Sequence, residues 1–476
     1  MTNMRYIPSL AVRPTPMMAL RGVSLARSAP TMNLIADPTL ASTASHLCDS
    51  ICGASTLISD SALASTADDL AGSLFGASLF PWLAMLYWLK QPLVGAPSGV
   101  SFGLTFLLAF VFGSIPAAIG AGVLYGVSLA DADWLHGAAE SLLAITNCVV
   151  VLGFRAALDP SSTTDDEAQV TSTLQTAATA LGVLSALSAV AVLASGAAAV
   201  HTPWLGGVGN LPAGLWPDEP SNALSVPTWI IHTSSLVEWL VAMGLAWRYA
   251  EVSRQPRWRG VTWGMLPLHT SGIVACTYHL FYNAPAVSWC VALQAGMTCL
   301  GNTTLAYACL RLALASGWTW EMGKQDALEL LDQVTQFLPK PASESGATAA
   351  RDAVMPVDSP RAATSKDGTT AQPAATVAAP QRRVTAESAL VGWEDLGDAW
   401  SRDGNAAFLL KLLALSGGLA YLVKYAPALL LSLKGLEVPD EVISAAALAV
   451  IVVPTGLNCW KWQQRSAEGA EFVGDF

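Results

Sequence analysis

Two ionisable side chains stand at the start of an apolar stretch in "DWLHGAAES", residues 133–141. His136 and Glu140 are four residues apart, which places both on one face of a helix. Polar groups at membrane depth are costly and tend to mark functional sites. One interpretation is that Glu140 stabilises a helix N-terminus while His136 bonds to a loop. The other is that His136 ligates a pigment metal or contacts a partner while Glu140 holds its other ring nitrogen.

Further polar residues lie deep in a later apolar region, residues 225–313. Glu238 lies ten residues before Arg248, at a depth where a carboxylate costs about 2.5–3.5 kcal/mol. Counted from the basic ends of their own segments, His269 and Asn302 lie at a similar depth, so we expect these two and Glu238 to form a cluster. Nearer the opposite face, a second set shares one depth: His232, His279 and Gln294.

These residues suit three kinds of function. They could form hydrogen bonds between helices, an interpretation that we favour because it needs no ligand. Neutral imidazole also suits chlorophyll magnesium and haem iron, and four histidines are candidate axial ligands of such a pigment: His136, His232, His269 and His279. The carboxylates and histidines together could form a path for protons or ions, although the pair at 136 and 140 differs in depth from the pair at 238 and 269.

The composition indicates which elements must position these residues. Of 476 residues, 53% are hydrophobic and 12% are charged, and the mean hydropathy is +0.46, which is typical of a polytopic membrane protein. A bilayer of about 30 Å needs about twenty apolar residues per span, each of them helical. We therefore predict an all-α transmembrane helix bundle of about nine spans, at 68–89, 101–125, 137–155, 173–199, 228–248, 261–281, 286–311, 405–432 and 440–460.

Basic residues in the short connections predict the orientation. If the nine spans alternate, one side receives Lys90, Arg155, Arg248, Arg254, Arg257, Arg259, Arg311, Lys461 and Arg465. Lys434 is the exception on the opposite side. Because basic loops stay on the side from which the protein is inserted, we expect the basic side and the C-terminus to face the stroma.

The spans form three blocks: four at 68–200, three at 225–313 and two at 405–462. Apolar residues recur at helical spacing over 318–338, which predicts an amphipathic helix on the membrane surface, against a partner or against the protein's own membrane domain. Residues 341–381 are rich in Ala, Pro, Ser and Thr and predict a disordered linker. Residues 1–40 carry four arginines and no acid before Asp37, the composition of an organelle transit peptide.

Longer stretches resemble known families. "SVPTWIIHTSSLVEWLVAMGLAWRYAEV", "GMLPLHTSGIVACTYHLFYN" and "LQAGMTCLGNTTL" resemble the hypothetical chloroplast reading frame 49 proteins, small three-span membrane proteins of cyanobacteria and plastids, over about residues 225–313. "SLFPWLAMLYWL" and "DWLHGAAESLLAITNCVVVLGFR" resemble a second uncharacterised family of oxygenic phototrophs. "GWEDLGDAW" and "AAFLLKLLALSGGLAYLVKYAP" resemble the tail of plastid versions that join these parts. The resemblance implies a thylakoid location and supplies no catalytic residue.

We predict a non-catalytic integral protein of the thylakoid membrane that acts in photosystem biogenesis or as an accessory subunit and binds membrane protein clients, with chlorophyll as a candidate ligand. No HExxH, Walker, GxSxG or paired CxxC motif supports an enzyme. The formal charge of −11 is spread over loops and tails, which argues against a nucleic-acid partner. The alternative is a membrane carrier or channel that uses Glu238 and His269.

Overall fold

The computed structural model describes residues 61–195, 222–337, 392–432 and 438–470. All regular elements within these ranges are helical, which confirms the predicted all-α class. The predicted transit peptide at 1–40, the linker at 341–381, residue 338 of the amphipathic helix and Lys434 lie outside the described residues.

Ten α-helices of more than four residues occur in the described ranges. They are α1 Ser61–Leu89, α2 Ser98–Gly120, α3 Asp133–Leu158, α4 Thr164–Ser195, α5 Val226–Val252, α6 Arg259–Leu280, α7 Trp289–Ala315, α8 Trp320–Phe337, α9 Asn405–Ser432 and α10 Asp440–Ala470. Nine of them coincide with the nine predicted spans, and α8 coincides with the predicted amphipathic helix. Several begin or end a few residues from the predicted limits; α10 continues ten residues further than expected.

Seven of these helices are long and apolar enough to cross a membrane, two fewer than predicted; they are α1 to α5, α9 and α10. Helices α6 and α7 form where spans were predicted at 261–281 and 286–311, but they are not among the seven. Their polar side chains find partners on neighbouring helices. Ser271 of α6 and Thr298 of α7 have their hydroxyl oxygens 2.7 Å apart, and Thr304 donates to the Gly264 carbonyl at 3.1 Å. Internal hydrogen bonding thus lets both helices be more polar than a lipid-facing span.

Helix α5 lies at the centre of the bundle. It packs against α3, α6 and α9. In its most apolar stretch 67% of the residues are buried, compared with 6% in the corresponding stretch of α4. The other strong contacts join α1 to α7, α6 to α7, α2 to α3 and α3 to α4. The polar residues Glu238 and His232 of α5 are therefore enclosed by protein, whereas most of α4 is exposed and suits contact with lipid.

The nine bundle helices alternate in direction. At one end, Tyr249 near the end of α5 donates to the carbonyl of Gly95, before α2, at 3.1 Å. At the same end, Arg155 near the end of α3 donates to the carbonyl of Asp403, before α9, at 2.8 Å. The basic residues predicted to share one side lie at the helix termini of this end, which we call the basic end: Lys90, Arg155, Arg248, Arg254, Arg257, Arg259, Arg311, Lys461 and Arg465.

The opposite end holds the starts of α3 and α5 and the end of α6. There the Asn222 side chain donates to the Tyr282 carbonyl at 2.6 Å. The ammonium group of Lys424, in α9, donates to the Leu224 carbonyl at 2.6 Å. One buried basic side chain therefore lies at this end, where it binds a backbone carbonyl.

The segment before α9 joins the C-terminal helices to the middle of the bundle. Lys461 and Arg465 of α10 form ion pairs with Glu394 and Asp395, and the Arg465 to Asp395 distance is 2.6 Å. The Glu394 side chain is 6% exposed, and its backbone lies against Gly244 of α5, where a Cβ atom would overlap the Glu394 carbonyl oxygen. The predicted two-span block is thus packed on α5.

Candidate three-histidine site

Three histidines from three helices meet at the end opposite the basic end. His136 lies in the first turn of α3, His232 in the second turn of α5, and His279 in the last turn of α6. Because α3 and α5 begin at this end and α6 ends there, all three lie at a similar depth in the bundle. The alternation of helix direction therefore assembles the site from distant parts of the chain.

The three imidazole rings contact one another. Nε2 of His136 lies 2.8 Å from Nε2 of His232. The ring centroid of His136 is 4.9 Å from those of His232 and His279, which are themselves 5.0 Å apart. One ring nitrogen from each histidine lies within 4.8 Å of the other two. The side chains are 8%, 5% and 5% exposed, respectively, so the cluster is shielded from solvent.

A close contact between α3 and α5 brings His136 and His232 together. A Cβ atom at Gly137 would lie 2.7 Å from the Thr228 hydroxyl oxygen, so glycine allows the two helices to approach. The buried Asp133 carboxylate accepts the backbone N–H of Ser225 at 2.8 Å, next to the first turn of α5. Within DWLHG, His136 thus supplies the imidazole, Asp133 binds the residue before α5, and Gly137 leaves space for α5.

A polar turn positions His279. Tyr282 and Asn283 follow α6 with φ of 53° and 55°, a left-handed conformation that asparagine tolerates better than most residues. The Asn283 side chain donates to the Asp131 carboxylate at 2.7 Å. This bond connects the end of α6 to the start of α3, so the last turn of α6 is held beside His136.

Glu140 does not hold His136 as one interpretation of the sequence required. Among the described residues, Nδ1 of His136 is buried and has no hydrogen-bond partner. Glu140 is half-buried and interacts electrostatically with Cys276 of α6 instead. Both side chains lie on the same face of α3, one helical turn apart. They nevertheless have different neighbours, because His136 contacts His232 and His279 whereas Glu140 lies near Cys276.

Among the described residues, no hydrogen bond joins the three members of the predicted cluster, Glu238, His269 and Asn302. The Cys148 thiol of α3 donates to Glu238 at 3.2 Å. Nδ1 of His269 lies 3.4 Å from the Asn458 amide nitrogen of α10. Asn302 donates to a carbonyl of α1 at 2.9 Å. The three residues share a depth, as predicted, but they point towards three different helices. Glu238 and His269 therefore do not form a direct pair in the part of the chain that the structure describes.

Gln294 also remains apart from the histidines with which it was grouped. It is half-buried on α7, and its backbone carbonyl oxygen accepts the hydroxyl groups of Ser271 and Thr298 at 3.1 and 2.9 Å. Within the described residues, no hydrogen bond joins it to His232 or His279. Counting residues along each helix correctly grouped His232 with His279. It could not predict that Gln294 lies on a face of α7 that does not contact these histidines.

The geometry favours one shared ion over separate pigment ligands at His136, His232 and His279. An axial imidazole of chlorophyll or haem directs its nitrogen at the metal in the centre of a macrocycle, whereas here two Nε2 atoms face each other at 2.8 Å. Imidazole nitrogens that converge from three sides are the donor set for a metal ion such as zinc or copper. His269, the fourth candidate pigment ligand, lies apart beside Asn458.

The fold and the site define a multi-span, all-α membrane protein that encloses a cluster of histidines. Residues 71–159 match the model of a protein of unknown function (DUF3593), and residues 223–311 match another protein of unknown function (DUF2499). His136 lies in the first matched segment, while His232 and His279 lie in the second. The site is therefore complete only when the two segments pack together.

Two named proteins are similar to part of this chain. The chain is 44% identical over 104 residues to a Ycf49-like protein of Synechocystis sp., which is 22% of this chain and 93% of that protein. It is 29% identical over 89 residues to the uncharacterized protein ycf49 of Cyanophora paradoxa, which is 19% of this chain and 87% of that protein. No solved structure matches the chain. The chain belongs to the Ycf49-like family, whose homologues are cyanobacterial and plastid proteins.

Proposed function

We propose that the chain is a non-catalytic protein of the thylakoid membrane that binds another membrane protein, as an assembly factor or accessory subunit of a photosystem. Its membership of a membrane-protein family from oxygenic phototrophs supports this role. The single observation that carries the proposal is the exposed apolar stripe of α8, at the basic end.

Among the described residues, helix α8 contacts α1 near its start. Trp318, just before the helix, forms edge-to-face contacts with Tyr87 and Trp88 of α1, and the Tyr87 hydroxyl donates to Asp326 at 2.6 Å. From residue 324 to residue 335 every side chain is exposed. The described part of the protein therefore does not cover this stretch of the helix.

The exposed part of α8 has one apolar face. Ala327, Leu330, Leu331 and Val334 recur at the spacing of a single helix face, and the three larger side chains are 61%, 59% and 49% exposed in chain order. Apolar side chains at these positions gain free energy when another surface covers them, at about 25 cal/mol per Å² removed from water. A partner helix lying in parallel contact would do this.

The charge of α8 favours a protein over a lipid surface. The helix contains four acidic residues, Glu321, Asp326, Glu329 and Asp332, and one basic residue, Lys324. Interfacial helices that bind anionic lipid carry lysine and arginine on the polar face, so the bilayer surface is a poor match. We infer that the occupant is a membrane protein that presents an apolar strip flanked by basic residues on the same side of the membrane.

The experiment places a photoreactive amino acid at residue 331 in the tagged full chain within its native thylakoids. We expect irradiation to yield a discrete protein adduct whose partner copurifies in mild detergent. The same residue at Gln325, on the opposite face of α8, is the matched control and should give little of that adduct. Adducts with lipid alone at residue 331 would contradict a protein partner.

Charge reversal distinguishes the two surfaces independently. Glu329→Lys should weaken recovery of the crosslinked partner about threefold to tenfold, because it places a positive charge before a basic surface. A helix lying on anionic lipid would instead bind more tightly after this change. Unchanged recovery of the partner in both Glu329→Lys and the double variant Leu330→Ala with Leu331→Ala would exclude α8 as the binding surface.

A further inference from the structure

We propose that His136, His232 and His279 bind one divalent transition-metal ion of the kind that prefers imidazole ligands, such as Zn²⁺ or Cu²⁺. The site is built from two family segments and lies at the end of the bundle opposite α8. It is therefore independent of the partner-binding surface.

The positions of the ring nitrogens suit a single ion. Two nitrogens bound to one zinc at about 2.0–2.1 Å in a tetrahedral site are about 3.3 Å apart. In the structure, the closest pair is 2.8 Å apart, and the chosen nitrogens of all three residues lie within 4.8 Å of one another. Small side-chain rotations would bring them to the metal distance, because the rings already contact one another on every side of the cluster.

Hydrogen bonding alone leaves this cluster incompletely satisfied. Each neutral imidazole has one N–H donor and one acceptor nitrogen. One hydrogen bond joins His136 to His232, yet Nδ1 of His136 remains buried without a partner among the described residues. A buried polar atom without a partner costs about 1–3 kcal/mol of folding free energy. Three packed histidines are therefore less stable at this position than apolar side chains of similar size would be. A metal ion would replace the single hydrogen bond between His136 and His232 with a bond to each of the three rings.

The surroundings favour a cation and provide rigid support. The Asp131 carboxylate interacts electrostatically with His136 and is itself held by Asn283 at 2.7 Å. Asp133 anchors the first turn of α3 to Ser225, and Gly137 fixes the separation of α3 and α5. The ligands thus sit on helices whose positions are set by neighbouring contacts, which is the requirement for a selective metal site.

Three protein ligands leave one position of a tetrahedral ion open. Structural zinc sites use four protein ligands, whereas sites that bind water or a small molecule use three. The cluster lies within about two helical turns of the helix ends, roughly 10 Å from the loops at 222–225 and 282–283. A small anion or water could therefore complete the coordination from that side of the membrane.

The test uses the full chain with a tag that contains no histidine, purified in mild detergent, stripped with chelator and titrated with Co²⁺. We expect saturable binding of about one Co²⁺ per chain, with the visible absorption of tetrahedral cobalt and competition by Zn²⁺. Gln in place of His136, His232 or His279 should weaken binding at least about tenfold. His269→Gln removes a buried histidine outside the cluster, so it is the matched control and should bind Co²⁺ like the unchanged chain.

A second variant keeps the test decisive if removal of a ring disturbs folding. His136→Cys supplies a thiolate ligand at the same place, and we expect a thiolate-to-cobalt charge-transfer band in the near ultraviolet. Absence of saturable Co²⁺ binding by the unchanged chain would overturn the proposal. So would equal binding by the three cluster variants, equal loss in His269→Gln, or a folded His136→Cys protein that binds cobalt without the band.

Discussion

Glu238 is buried near the middle of α5, 4% exposed, and its carboxyl group accepts a hydrogen bond from the Cys148 thiol at 3.2 Å. His269, at a similar depth on the next helix, faces Asn458 of α10. At the scale of single residues, Glu238 and His269 thus contact side chains of different helices, α3 and α10. This arrangement is typical of hydrogen bonds that specify helix packing rather than of a continuous relay.

Double-mutant cycles should distinguish the pairing of Glu238 with Cys148 from a pairing with His269. We expect Glu238→Gln and Cys148→Ala to be coupled by about 0.5–1.5 kcal/mol, since each removes the same hydrogen bond. Glu238→Gln and His269→Gln should be additive within about 0.5 kcal/mol. The measurement is the free energy of unfolding in mixed detergent micelles.

The control for that cycle is Glu251→Gln. Glu251 forms an ion pair with Arg248 that is half-exposed at the basic end, so its loss should cost less than about 1 kcal/mol. Strong coupling of Glu238 with His269, together with additivity for Glu238 and Cys148, would show that the carboxyl group points towards α6.

At the scale of whole helices, glycines decide how closely α6 and α7 approach. A Cβ atom at Gly264 would lie 2.8 Å from the Cα atom of Leu305, a backbone atom that cannot move away alone. By contrast, Gly122 and Gly126, a spacing that often marks a helix contact, would meet no atom within 4 Å. Gly126 has φ of 66° and ends the helical turn that follows α2, so this pattern terminates a helix.

Gly264→Ala should destabilise the bundle by about 1–3 kcal/mol, because the added methyl group forces α6 and α7 apart. Gly296→Ala is the matched control on α7, where a Cβ atom would meet nothing within 4 Å, and it should be neutral within about 1 kcal/mol. Thermal unfolding of both variants in the same detergent gives the comparison. Equal effects of the two substitutions would mean that the close contact at Gly264 is not formed.

At the scale of the whole molecule, the two ends of the bundle differ in chemistry. One end carries the basic residues, α8 and the ion pairs of Glu394 and Asp395 with α10, while the other holds the three histidines. The orientation does not depend on whether α6 and α7 cross the membrane, because omitting two consecutive spans leaves the later helices on the same side. The charge pattern therefore predicts the same stromal position for residues 318–402 with seven spans or with nine.

Protease added to intact thylakoids should cut the chain between α8 and residue 392, since that connection begins and ends at the basic end. Cleavage should release a fragment that contains α9 and α10, detected with an antibody to the C-terminal half. The connection at 196–221 should resist cleavage until the membrane is permeabilised. Protection of the first connection with cleavage of the second would invert the orientation.

The amino-acid sequence by itself determined the helical class, the positions of nine bundle helices and the side on which basic residues gather. These properties depend on local composition: runs of apolar residues form helices because lipid offers no hydrogen bonds to the backbone. The sequence also showed that His232 and His279 share a depth, since rise per residue along a helix is constant. Counting residues from the start of α3 would have placed His136 at the same depth as these two histidines, because α3 begins at the same end of the bundle as α5.

Only the tertiary structure decided which polar residues meet. Depth along a helix leaves its rotation undetermined, so Glu238, His269 and Asn302 were grouped together although they face different helices. Rotation is set by which neighbours pack together, here through the contact of Gly137 with Thr228 and the bond of Asp133 to Ser225. Both join residues about 90 positions apart in the chain, beyond the range of helical periodicity. The convergence of three histidines on one point follows from those contacts.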